Sequence, residues 1–293
     1  MRMAYIEKKL HAANLKLVVL MNEIMDGYKE QNFKLTVRQL FYQLVTRNAI
    51  ANNEKQYGKI SRLCADARMA GMMDWDMIED RTRAFISRAH WENGADILEG
   101  CASQYHEDLW EWQDNRLFVV VEKEALAGML EPVCHEMDMP LLADRGYPSV
   151  SVLHTFAVER IIPAMKEKQH PIILHLGDHD PSGLDMTRDL QEKLSLFTGK
   201  SVDVRRIALN MNQVEELRLL PNPAKKKDKR FTAYAQKYGT SSWELDALPP
   251  EYLTSLVREH AAEFIDTDAL EETRERINLT KTKLRTMAAT FQC

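Results

Sequence analysis

Three acidic residues fall where a divalent cation would need them. Glu122 follows directly on the apolar run Leu117-Phe118-Val119-Val120-Val121. Asp178 and Asp180 follow Ile172-Ile173-Leu174-His175-Leu176, inside Gly177-Asp178-His179-Asp180-Pro181-Ser182-Gly183. Each apolar run reads as a buried parallel strand, and open parallel sheets bind ligands at the carboxyl ends of their strands. If the two strands are neighbours, three carboxylates converge on one small volume, where like charges raise one another's proton affinity unless a cation neutralises them. An all-oxygen set of this kind suits Mg2+ or Mn2+ rather than zinc. Taken singly, each acid reads as an ordinary loop residue or helix N-cap. The metal reading rests on the set, with a glycine before the D-x-D and a proline and glycine after it.

The elements that must position these acids change character along the chain. Residues 1–112 read as helical. Asn14 to Tyr28 carries a broad apolar face, and Thr36 with Gln39 forms a capping box ahead of Val37 to Val45. Tyr57, Ile60, Leu63, Cys64 and Ala67 mark a third helix, and Met72 to Arg83 reads as the strand and loop of a wing. Three short helices and a wing match a winged-helix DNA-binding module, and a plain helical bundle fits the same pattern equally. Residues 91–115 look like a helical connector. From 113 to 293 strands alternate with helices: Leu117–Val121, a helix over Glu124 to Met137, a strand at Pro140–Ala143, a helix over Val150 to Lys168, Ile172–Leu176, a helix over Leu184 to Leu196, and Val202–Leu209. That alternation predicts an α/β fold with a parallel sheet, followed by a basic loop, the Trp243–Leu248 segment and two amphipathic helices.

Val119-Val120-Val121-Glu122-Lys123-Glu124-Ala125, taken with the D-x-D-P-x-G block at 178–183, resembles the Toprim domain. The closest likeness is to the A subunit of topoisomerase VI and the meiotic double-strand-break transesterase, in a reduced, stand-alone form. The resemblance implies a winged-helix domain over 1–112 and a Rossmann-like Toprim domain with a C-terminal helical extension over 113–293. It implies Mg2+ (or Mn2+) on Glu122, Asp178 and Asp180, with Glu122 counted in the catalytic set. The family's nucleophilic tyrosine stands in an R-x-x-Y-Y context, which Arg38-Gln39-Leu40-Phe41-Tyr42 matches in spacing with Phe41 in place of the first tyrosine. The nucleophile therefore maps to Tyr42, one helical turn from Arg38 and on the same face. A core aromatic on an amphipathic helix is the plainer reading of Tyr42. The T-R that usually follows the family's G-x-P segment is absent after Gly146-Tyr147-Pro148.

The expected activity is then metal-dependent cleavage of double-stranded DNA by tyrosine transesterification in a homodimer, as in a type IIB topoisomerase A subunit that relaxes, nicks or breaks DNA. A separate ATPase B-like subunit is a further candidate partner that the resemblance implies; the chain carries no Gly-rich ATP-binding motif of its own and has little room for a segment docking such a subunit. Two alternatives stay open: a Toprim nuclease that uses water, and a non-catalytic DNA-binding regulatory protein. Arg81 and Arg83 are candidate DNA contacts from the wing, or partners of Glu79 and Asp80. Lys225, Lys226 and Lys227 are candidate phosphate contacts, or a solvated loop. Trp243 to Leu248 reads as packing with a spare acid rather than as a metal ligand. His179 is expected to face away from its flanking aspartates. Leu270 to Met287 reads as a dimer surface or a packed final helix.

Composition sets the outer bounds. The 293 residues are 45% hydrophobic and carry a net charge of −5, with no apolar run long enough for a membrane helix. Four scattered cysteines without a C-x-x-C pair argue against a disulfide framework or zinc ribbon. The expectation is a cytoplasmic protein, nucleoid-associated in a bacterial or phage setting. The charge is polarised. Residues 1–90 hold 15 Lys+Arg against 10 Asp+Glu, and residues 91–221 hold 12 against 23. The basic surplus thus falls in the proposed DNA-binding part and the acidic surplus in the part that would hold a cation.

Overall fold

The computed structural model describes residues 2–31, 33–79, 88, 90–144 and 146–291. Its first part is helical: α1 (Ala12–Glu30), α2 (Val37–Thr46) and α3 (Glu54–Met69). Helix α2 starts at the expected capping box. The Gln39 N–H donates to Thr36 Oγ1 at 3.2 Å, and the Thr36 N–H donates to Gln39 Oε1 at 2.7 Å. The apolar faces of the three helices enclose a core of Met21, Ile24, Met25, Leu40, Phe41, Leu44, Ile60 and Leu63. The segment expected as a wing is a short 3-10 turn at Trp75–Met77, followed by a single parallel bridge from Ile78 to Leu35. Its remainder, with Arg81 and Arg83, lies outside the described residues. Met73 and Met77 are buried in this part of the molecule, and Met69 is exposed.

After α4 (Gly94–Gln104) the chain becomes mixed α/β. It runs through β1 (Asn115–Val121), α5 (Glu124–Glu136), β2 (Leu141–Ala143), α6 (Val150–Phe156), a π turn (Ala157–Ile161), α7 (Ile162–Lys166), β3 (His170–Leu176), α8 (Pro181–Thr198) and β4 (Asp203–Ala208). The four strands form one parallel sheet in the order β2-β1-β3-β4. Leu117, Val119 and Val121 face a core shared with α5, while Phe118 and Val120 face Leu153, Ile161, Leu190 and Leu194 from α6 to α8. Helices on both faces explain why the strand is apolar at consecutive positions. The arrangement is that of a Rossmann-like α/β domain.

Then follow α9 (Met211–Glu216), the strand pair β5 (Asn222–Pro223) and β6 (Ser241–Ser242) around α10 (Phe231–Tyr238), a 3-10 turn at Leu245–Ala247, α11 (Pro250–Ala262) and α12 (Thr267–Thr290). From Pro221 onward the described residues thus hold three helices, α10 to α12, where two were expected. Helix α12 lies against α4, with Arg285 Nε 3.1 Å from Glu99 Oε1. Among the described residues no helix is long and apolar enough to cross a membrane.

Candidate active site

Pairing places β1 and β3 side by side in register, Val121 opposite Leu176. Glu122 and the loop 177–180 therefore leave the sheet together at its carboxyl edge. The Asp178 N–H donates to Glu122 Oε2 at 2.8 Å, and Asp178 Oδ1 accepts the Leu245 N–H at 2.8 Å. Both carboxyls are buried. Burial, reinforced by the Asp178 charge, pushes the Glu122 carboxyl up to about 7, and burial also raises Asp178 against the pull of Lys123. Asp180 is placed differently. Its Oδ1 caps α8, accepting from the Gly183 N–H at 2.7 Å and from Ser182 Oγ at 3.0 Å, and it does not line the cavity described below. His179 points away, as expected, with Nδ1 2.9 Å from the Tyr234 hydroxyl.

The loop is held from beneath by Arg206, which the sequence reading did not single out. Its guanidinium donates to the carbonyls of Gly177 at 2.8 Å, Asp178 at 2.6 Å and Gly183 at 3.0 Å, and to Thr187 Oγ1 at 3.0 Å. The only forewarning is the pair Arg205-Arg206 inside a short strand that also carries Asp203.

Lys123 sits among carboxylates. Its Nζ lies 2.8 Å from Asp178 Oδ1, 3.1 Å from Glu244 Oε2 and 2.6 Å from Asp246 Oδ2. Burial alone would lower its proton affinity, but the three carboxylates outweigh that and raise it. Arg38 reaches the same acids from the first turn of α2, bonding Glu244 and lying 3.4 Å from Asp246 Oδ2. Burial works to raise the Glu244 carboxyl, yet Lys123 and Arg38 hold it down at about 2. Tyr42 is buried, its ring 5.9 Å from the Arg38 guanidinium. Burial, the Glu244 charge and a hydrogen bond to Glu244 raise its proton affinity. Glu244 and Asp246 are thus site residues, although their segment reads in sequence as packing.

Arg38, Glu122, Lys123, Asp178, Glu244 and Asp246 line one cavity of about 750 Å3 between α2 and the carboxyl edge of the sheet. Exposed Lys225 reaches this cavity; Lys226 and Lys227 are exposed beside it without lining it. The loop is fastened by Arg230, whose Nη1 is 2.6 Å from Asp185 Oδ2 on α8.

No protein-family model, curated protein or solved structure matches the chain. What the site can do therefore rests on its own chemistry. Among the described residues no group of three or more His, Cys, Asp or Glu stands ready arranged as a metal-holding set. The donor set still fits a hard dication. It is all oxygen, it joins buried Glu122 to buried Asp178 through the Asp178 N–H, and it includes Asp246 Oδ1, buried without a hydrogen-bond partner among the described residues.

Proposed function

We propose that the chain is a divalent-metal-dependent DNA-cleaving transesterase of the topoisomerase VI A-subunit type, a winged helix joined to a Toprim domain. The observation that carries this reading is that Glu244 bonds Arg38 of α2, whose guanidinium lies 5.9 Å from the Tyr42 ring, and shares the Lys123 ammonium with Asp178. The proposed nucleophile and the carboxylates thus belong to one network. Glu122, Asp178 and the second oxygen of Asp180 would hold Mg2+ or Mn2+, which when bound supplies charge neutralisation at the phosphate.

In the proposed reaction the Tyr42 oxygen gives up its proton and attacks a backbone phosphorus of double-stranded DNA. A phosphotyrosyl bond to the 5′ side forms as the bond to the 3′ oxygen breaks, and that oxygen takes up the proton the phenol gave up, leaving a 3′ hydroxyl. Arg38 offsets charge on the pentacoordinate phosphate, and Lys225 at the cavity rim, with Lys226 and Lys227, holds flanking phosphates. Two copies in a homodimer would cut the two strands, and a separate ATPase B-like subunit would add strand passage.

A second reading, hydrolysis by water at the same carboxylates, is favoured by the state of Tyr42. Only 6% of that residue is exposed, and its surroundings hold the proton on the phenol. Supercoiled plasmid incubated with the protein in Mg2+ or Mn2+, then analysed with and without protease digestion, decides between the two. Transesterification predicts protein-linked 5′ ends that are lost in Tyr42→Phe. Cleavage that survives this change with free ends establishes hydrolysis. Asp178→Ala abolishes either activity. No nicking and no metal affinity in the unaltered protein would leave a non-catalytic DNA-binding protein.

A further inference from the structure

We propose that the corner formed by Asp178, Glu244 and Asp246 is a cation site whose resident cation is the chain's own Lys123 ammonium. This lysine sets how tightly a divalent metal binds at the adjoining Glu122–Asp178 pair. The inference rests on the metal-dependent reading above and deepens it by giving Lys123 and Asp246 roles that the resemblance does not assign.

Three observations carry it. First, an ammonium has three N–H donors, and Lys123 has three carboxylate partners at 2.6–3.1 Å, as a coordinated cation would. Second, Asp246 is only 1% exposed and lines the cavity, and its Oδ1 has no hydrogen-bond partner among the described residues. A buried carboxylate oxygen left unpartnered is costly, so the corner has more acceptor capacity than one lysine uses. Third, Asp178 is common to both places: its backbone N–H is bonded to Glu122, and its Oδ1 to Lys123. A dication drawing on Asp178 therefore meets the lysine at one carboxylate and is repelled by it. Replacing the ammonium by a neutral side chain of similar length frees Asp178 for the metal, and the unpartnered Oδ1 of Asp246 can join it while the Arg38 guanidinium stays on Glu244 and Asp246 Oδ2.

The test is Mn2+ binding to the full chain, with free Mn2+ counted by its electron paramagnetic resonance signal, for the unaltered protein, Lys123→Met and Lys123→Arg. At charge separations of a few ångströms and partial burial, loss of the ammonium should tighten Mn2+ binding at least about tenfold, while Lys123→Arg stays near the unaltered protein. Circular dichroism melts with and without Mn2+ keep the test valid if the neutral variant folds poorly. Mn2+ should then raise its Tm more than that of the unaltered protein, or fold it outright. Unchanged or weaker Mn2+ binding by Lys123→Met, or a variant that millimolar Mn2+ neither binds nor folds, overturns the proposal. If the unaltered protein binds Mn2+ and cleaves DNA while Lys123→Met binds no tighter, this inference fails and the reading above stands. If only Lys123→Met binds Mn2+ and the unaltered protein cleaves nothing, the reading fails and the inference stands.

Discussion

The backbone N–H of Asp178 points at Glu122 Oε2 across 2.8 Å, so one carboxylate of the site is held by the loop that presents the other. The bond favours a charged Glu122, but burial and the nearby Asp178 charge outweigh it and bring the carboxyl to about 7, against 4.5 for the free group. A carboxyl that binds its proton more tightly in the folded state stabilises at low pH. That contribution is lost as pH rises from about 4.5 to about 7. Glu122→Gln, which keeps an acceptor for the Asp178 N–H, should therefore be more stable than the metal-free unaltered protein at pH 8, by on the order of 2 kcal/mol. The advantage should vanish near pH 4.5. Urea unfolding at the two pH values measures it, and Mg2+ should stabilise the unaltered protein but not the variant.

Gly183 tolerates no side chain. A Cβ there would lie 2.2 Å from the Asp178 carbonyl oxygen, which is backbone held in place by Arg206. Gly183→Ala should cost about 3 kcal/mol and displace Asp178. At Gly177 the added Cβ would meet Glu122 Oε2 at 2.9 Å, the end of a side chain that can swing aside. Gly177→Ala should cost about 1 kcal/mol while moving Glu122, so its Tm should fall little and its metal affinity more. Thermal melts paired with Mn2+ titrations separate the two cases.

The parts of this fold that show in the sequence are those whose cause is local. A strand covered on both faces must be apolar throughout, so Leu117–Val121 and Ile172–Leu176 announce themselves, and so does the Thr36–Gln39 capping box. The acids after the strands were legible for the same reason, since strand ends in a parallel sheet collect at one edge. Asp180 shows the limit. An aspartate before Pro181 with a glycine at the third helical position is also an N-cap, and the cap takes its Oδ1. The rest of the site depends on contacts distant in sequence. Lys123 meets Glu244 and Asp246 only because the 3-10 turn at Leu245–Ala247 packs under α2, and no spacing within either segment reports that. Arg206 was hidden because its partners are backbone carbonyls, which every sequence has.

Arg38 and Glu244 join α2 to the carboxyl edge of the sheet, and this contact sets where Tyr42 stands. The Arg38 side chain is 44% exposed and that of Glu244 26%, so solvent screens the pair. A double-mutant cycle of Arg38→Ala and Glu244→Ala should give a coupling energy of about 1 kcal/mol at low salt. It should shrink as salt is raised toward 0.5 M, on the order of a few-ångström Debye length. Glu244→Ala should also lower the absorbance-titration midpoint of Tyr42, since it removes the negative charge and hydrogen bond that raise its proton affinity. A coupling near zero would mean that α2 is placed by its apolar core alone.

His175 gives the structure an acid limit of opposite sign to Glu122. It is 3% exposed inside β3, its Nδ1 2.9 Å from Thr187 Oγ1. Burial, helped by the Arg206 charge, pushes the imidazole down to about 3 from the ordinary 6.5. Between those values the unfolded chain takes up a proton that the folded chain refuses, so stability falls as pH falls through the window. From pH 7 to pH 5 the loss amounts to about 2 kcal/mol. His175→Gln keeps a polar group for Thr187 and cannot titrate. It should be the less stable protein at pH 7, because an imidazole fitted to its cavity is lost, and should close the gap by about 2 kcal/mol at pH 5. Measuring the difference between the two proteins removes the contribution of Glu122, which both retain. A gap independent of pH would show that the folded protein admits a proton at His175 and that burial does not keep the imidazole neutral.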